Sequence, residues 1–187
     1  APGSAIKRRG PLEVTRAISL TPFTGDITFN AKSGNKTNTS LYGTEVHATR
    51  DQYGFGLTPE YLHTPAHALE VVDAIAGLSE VAGNQSRFLF DFSPEAVVFR
   101  WTDDFAPRLL YGFAMDDKGR LDLPAVLGRL EMGDLDPVEL VIGLGRPDLL
   151  ADAAREALAK HGIQPMGVRQ AAAEVRSRMA QDLGIEG

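Results

Sequence analysis

RFLFDF at 87–92, AVVFRW at 96–101 and LLYGFAM at 109–115 are three closely spaced runs rich in aromatic and β-branched residues, and their reading decides the fold. Six or seven residues is ordinary strand length, and this composition suits a half-buried pleated surface. Ser93-Pro94-Glu95 reads as a turn between the first two runs. DDKG (116–119) reads as a turn after the third, since Gly119 can take positive φ. At a period of two, Phe88, Phe90 and Phe92 share one face and Arg87 and Asp91 the other; Phe99 and Trp101 repeat the pattern on the next strand. Aromatics so placed most often fill a core, although an RNA-binding sheet can display them for base stacking.

Toward the C-terminus, residues 121–132 read as a helix with Pro124 in its first turn. Residues 138–144 are continuously apolar, which predicts a central strand covered on both faces. Residues 148–161 place Leu150, Ala154 and Leu158 on one helical row and stop at Gly162, a C-cap. Residues 168–183 carry Val168, Ala172, Val175, Met179 and Leu183 at helical spacing, a seam expected to pack on the preceding helix. Toward the N-terminus, Thr64 and Pro65 open a helix whose stripe is Leu69, Val72, Ile75 and Ala76 and which reaches toward Gly83. LEVTRAISL (12–20) reads as one strand ended by Pro22. Residues 21–60 lack a long period, and 32–57 reads as a loop or thumb region, with KSGNKTNTS (32–40) loop-like by composition. Strands and helices mix without strict alternation, so the expected class is α+β with a ferredoxin-like core, one domain over 1–187 closed by a helical pair at 148–183.

Bulk properties bound the function. The chain has 187 residues, 43% of them hydrophobic, enough for one real core. It has no cysteine, which excludes disulfides and thiolate metal sites and suits a cytoplasmic location. No apolar run approaches the roughly 20 residues of a membrane helix, so no membrane partner is expected. Lys7, Arg8 and Arg9 are followed by Gly10 and Pro11, not by a signal-type apolar stretch. The net charge of −6 is unevenly spread: residues 1–50 hold seven Lys/Arg against three acids, and residues 51–187 twelve against twenty-two. A basic end on an acidic body can grip a phosphate backbone locally.

Catalytic patterns are weak. His63 and His67 are four apart but flank Pro65 and have no third ligand nearby. His47 lies between Glu45 and Asp51, a set that would serve a metal- or His-dependent enzyme cutting RNA or turning over a small molecule, the rival reading. Gly143-Leu144-Gly145-Arg146 follows a strand, yet it lacks the third glycine and the lysine of nucleotide loops and reads as a tight turn. Asp26 reads as a turn residue, and Asp103 and Asp104 as the start of a turn before Pro107. No cofactor or metal is expected.

Three stretches, taken together, carry a resemblance: NTSLYGTEVHATRDQYGFGLTPEYL (38–62), VAGNQSRFLFDFSPEAVVFRWTDD (81–104) and the basic KRRGPLEVTRAISL (7–20). They resemble the DevR-type backbone subunit of type I CRISPR (Cascade) surveillance complexes, and they cover roughly a third of the chain. The resemblance implies a modified RNA-recognition fold with a long inserted hairpin or thumb. It also implies a non-catalytic role: coating the guide RNA (crRNA) with copies of itself, beside other CRISPR complex subunits, and reaching target DNA through the guide in antiviral defence. Family members begin with a longer amino-terminal portion, so the core sheet is expected to lack that part. A fragment, a short relative and half of a split subunit are three ways to read the difference. Backbone gripping needs cations, amides and hydroxyls. The expected RNA contacts are therefore Lys32, Lys36, Asn38, Thr39, Ser40, His47 and Arg50 in one polar region and Asn84, Gln85, Ser86 and Arg87 in the other.

Overall fold

The computed structural model describes residues 9–31, 41–47, 49–78, 80–81 and 90–185. In chain order the elements are β1 (Leu12–Val14), β2 (Ile18–Ser19), β3 (Gly25–Ala31), β4 (Leu41–His47), β5 (Asp51–Gln52), β6 (Phe55–Leu57), α1 (His67–Ala76), β7 (Glu80–Val81) and β8 (Phe90–Asp91). They continue with β9 (Ala96–Arg100), β10 (Ala114–Met115), β11 (Leu121–Asp122), α2 (Pro124–Glu131), β12 (Leu140–Leu144), α3 (Asp152–Lys160), β13 (Met166–Gly167) and α4 (Val168–Leu183). The class is α+β, compatible with the ferredoxin-like core expected from the sequence.

LVIGL of β12 is central, as its unbroken apolarity predicts: β9 pairs with it antiparallel on one edge and β13 parallel on the other, and all five of its residues are buried. Alternation splits the core in two. Leu140, Ile142 and Leu144 face α2 and α3, joining Leu123, Val126, Leu130, Ala154 and Leu158. Val141, with Val97 and Phe99 of β9, faces α1 and α4, joining Leu69, Val72, Ala172, Val175 and Met179. Each buried Leu, Ile, Val, Phe or Met among them contributes about 1.5–3 kcal/mol.

The seam of α4 is as expected, but its partner is not α3. It packs on β12 and α1. The reason is β13: QPMG (164–167) is too short and too Pro/Gly-rich to read as a strand, yet Met166 and Gly167 pair with Gly143 and Leu144. The β12–α3–β13 unit is thus a parallel crossover that leaves α3 on one face and starts α4 over the other. Gly143 makes the close approach of α4 possible. A Cβ there would lie 2.7 Å from Val97 Cγ2, 2.8 Å from Val168 Cα and 2.9 Å from Ala171 Cβ.

Other boundaries move for local reasons. α1 ends at Gly77, whose amide donates to Asp73 O, well short of Gly83, and Thr64 serves through its carbonyl rather than as a side-chain cap. α2 starts at Pro124, because Leu121 and Asp122 pair with Met115 and Ala114. Of LLYGFAM only Ala114 and Met115 are strand; Leu109 and Leu110 lie in a turn, and Tyr111 has φ +50°. Pro147–Leu149 forms a 3-10 turn, so α3 begins at Asp152.

LEVTRAISL is two short strands of a longer ribbon. Leu12–Val14 pair with Leu57–Phe55, Thr15 N donates to Gly54 O, Ile18 and Ser19 pair with Gln52 and Asp51, and Leu20 N donates to Arg50 O. Beyond Pro22 the ribbon continues as β3 and β4, seven paired residues from Gly25↔His47 to Ala31↔Leu41. At about 3.4 Å per residue this distal part spans about 20 Å. The turn-rich composition of 21–60 therefore conceals an inserted hairpin arm, and 41–57 is largely strand rather than loop.

Gly143→Ala is expected to destabilise the chain by about 1–3 kcal/mol through overpacking against α4. Urea denaturation measures it. An unchanged midpoint would mean that α4 stands further from β12 than the close contacts at Gly143 require.

Candidate nucleic-acid interface

The arm displays apolar side chains to solvent. Ile27 and Phe29 point to one face of β3, 62% and 73% exposed, and lean across Gly43 of β4. Phe23, 57% exposed, folds its ring over Gly25 and lies 5.3 Å from the His47 imidazole at 51°. The register places Glu45 opposite Ile27 and His47 opposite Gly25. One face of the arm thus carries Phe23, His47, Ile27 and Phe29 in succession, with Glu45 among them. A contiguous exposed apolar patch is the kind of surface that marks an interaction site. The sequence reading missed Phe23, Ile27 and Phe29, because alternation in GDITFN is legible only once β4 is known to pair with it.

Of the expected contacts, Lys32, Lys36, Asn38, Thr39 and Ser40 lie outside the described residues, as do Asn84, Gln85, Ser86 and Arg87. Their flanks are described. Ala31 pairs with Leu41 and Val81 with Phe90, so each polar segment connects two antiparallel strands. His47 is exposed, with Nδ1 3.0 Å from Thr49 Oγ1. Arg50 is engaged by protein: Nε is 2.8 Å from Glu95 Oε2, Nη2 donates to Glu95 Oε1 at 3.3 Å, and Nη1 donates to Gly119 O at 3.0 Å.

The polar clusters with potential chemistry are structural in form. Asp104 accepts from Arg108 Nε (2.6 Å), from Arg100 Nη2 (3.0 Å) and from the Ala106 amide (2.9 Å). The Arg108 bond first, then the Ala106 amide and the Arg100 bond, hold its carboxyl well below the usual carboxylate range. Arg100, its side chain 7% exposed, also bonds Glu139 Oε2 and the Ala106 carbonyl. Thr102 donates to Glu139 Oε1. This knot fixes the turn before Pro107 that the sequence reading assigned to Asp103-Asp104. Phe99 of β9 is buried in the core, and Trp101, just past β9, is half-buried against the same cluster and donates Nε1–H to Asp182 Oδ2 at 2.6 Å. Gly145 donates its amide to Glu95 O, extending the β9–β12 ladder, in keeping with a tight turn there. Among the described residues no three His, Asp or Glu side chains gather as metal ligands would, and no helix is long and apolar enough to cross a membrane.

The chain belongs to the Cas7/Cst2/DevR family of CRISPR-associated proteins. A curated relative, the "CRISPR-associated protein Cas7/Cst2/DevR" of Myxococcus xanthus (strain DK1622), is 51% identical over 150 residues, 75% of this chain and 50% of the relative. The chain therefore spans about half the length of that relative. No family model matches.

Because the Asp104 carboxyl is depressed, its contribution to stability is present above the unfolded carboxylate pKa of about 3.9 and is lost as pH falls through the folded value. Asp104→Asn should therefore be less stable than wild type at pH 7, with the gap narrowing as pH drops below about 4. Thermal unfolding across about pH 2.5–7 checks this; a gap independent of pH would show that the Asp104 charge contributes nothing.

Proposed function

We propose that this chain is a non-catalytic guide-RNA-binding subunit of a CRISPR surveillance complex, one that assembles side by side with copies of itself and with other subunits and meets target DNA through the guide. The observation that carries the reading is the pairing of family membership with an arm whose apolar and aromatic face lies open to solvent. Sequence-independent gripping of a single strand combines stacking surfaces with cations and hydroxyls along the backbone. The arm supplies Phe23 and Phe29 for stacking, and the segment closing it supplies Lys32, Lys36, Asn38, Thr39 and Ser40, with His47 on the same face. Asn84, Gln85, Ser86 and Arg87, between β7 and β8, supply a second set. The rival enzyme reading needs His47 to work with Glu45 or Asp51. Among the described contacts, the His47 ring meets Thr49 and Phe23.

Fluorescence anisotropy with labelled single-stranded RNA tests the proposal. Phe29→Ala should weaken binding about tenfold, the loss of one stacked base. Arg87→Ala should weaken binding to all sequences alike and lower the salt slope by about one. A folded chain that ignores RNA at low salt, or a loss confined to particular sequences, would overturn the reading. Incubation of labelled RNA with Mg²⁺ or Mn²⁺ should leave it intact; cleavage abolished by Asp26→Ala or His47→Ala would make the chain a target-cutting relative instead.

A further inference from the structure

The root of the arm is joined to the body by polar contacts that fix direction as well as position. Gln52, half-buried on β5, donates Nε2–H to Phe113 O at 3.1 Å and accepts the Phe113 amide on Oε1 at 3.0 Å. A carboxamide exchanging both bonds with one residue's backbone reproduces a ladder pair of a β-sheet, here between a side chain and a strand-less segment. Arg50, two residues earlier, grips the Glu95 carboxylate and the Gly119 carbonyl with its planar fork. On the other strand of the ribbon, the Arg16 carbonyl accepts from Tyr111 Oη at 3.0 Å. Tyr111 holds φ +50°, a conformation that costs a non-glycine residue energy and persists where its surroundings impose it. Apolar contacts add depth: Phe55 meets Phe99 edge-on at 6.1 Å, and Leu20 packs against the α2–α3 cluster. Burial alone is non-directional and would let a two-stranded ribbon pivot.

We infer that Gln52 and Arg50 are positioning residues: they set the arm at one fixed angle to the body, so that the Phe23–Ile27–Phe29 face is presented pre-aimed rather than searched for by a swinging arm. What that aim serves rests on the RNA-binding reading above; the fixed angle itself does not. A pre-set element loses less conformational freedom on binding, so its loosening weakens affinity without removing any contact. It also gives Arg50 a task other than phosphate binding.

The chain has no cysteine, so Glu45→Cys on the arm and Glu156→Cys on α3 would be its only two thiols for spin labels. Pulsed dipolar spectroscopy on the RNA-free chain should give one narrow distance distribution. Gln52→Ala should broaden it, whereas Val126→Ala, which removes a buried core side chain, should lower the melting temperature and leave the distribution narrow. A broad distribution in the unsubstituted background, or a Gln52→Ala distribution as narrow as that background, would overturn the inference. With RNA, Gln52→Ala and Arg50→Ala should each weaken binding several-fold at an unchanged salt slope. A lower slope for Arg50→Ala would make Arg50 a phosphate contact and remove it from the mount. If no form of the chain binds RNA while the distances behave as stated, the RNA reading fails and the fixed arm stands.

Discussion

The packing of α4 onto Gly143 is the constraint on which the body depends. β12 is paired along both edges and covered on both faces, so every one of its side chains must be apolar and must fit. At the point where α4 begins its crossing, there is room for no side chain at all. That contact sets the distance of α4 from the sheet, and α1 then packs against α4 within the same apolar cluster as Val97 and Phe99. The opposite face follows from the same strand: Leu140, Ile142 and Leu144 need a second apolar layer, which α2 and α3 provide. Arg100 and Glu139 lock the β9 end of the ladder with a charge pair screened from water on the arginine side. Without Glu139, Arg100 would keep Asp104 and the Ala106 carbonyl; without Arg100, both Glu139 and Asp104 would lose their shared cation, so the arginine is the costlier loss.

Much of this body was legible in the sequence, because its signals were long or unambiguous. The continuous apolar run of β12 announced a central strand, and the spacing Val168, Ala172, Val175, Met179, Leu183 announced α4 with its bounds. What composition could not announce was β13. Two residues leave no period, and without them consecutive helices look like natural partners. The same physics hid the strand content of 21–57. Its pairs are formed between distant residues, and each single strand is short, glycine-bearing and half-polar, so pairing partners decide what propensity leaves open. LLYGFAM is a strand only at its end for the opposite reason: its β-formers are real, yet Leu109 packs the α2–α3 core from a turn and Phe113 from the segment that leads into β10.

The candidate site was legible mainly through resemblance. Family membership came from the motif-bearing stretches at 38–62 and 81–104, whereas charge asymmetry alone gave only weak guidance. Of the eleven residues expected to touch RNA, nine lie outside the described residues, and the two described ones, His47 and Arg50, contact Thr49 and Phe23 in one case and Glu95 and Gly119 in the other. The aromatic face of β3 and the Gln52 clamp went unseen because neither has a one-dimensional signature. Exposure of Phe29 and the reach of Gln52 to Phe113, 61 residues away, are facts of tertiary structure.

Among the described residues the arm's strands pair within 12–57, while the two core clusters draw their buried members from residues 68–179. Sequence drift should therefore run at two speeds. In the body nearly every change of volume is felt by a neighbour, and β12 in particular has almost no acceptable synonyms. On the arm, side chains already in water can be exchanged with little effect on the fold, so long as the alternation and the root contacts survive. The arm is thus the part of the molecule on which new surface chemistry can be tried without risk to the scaffold that carries it.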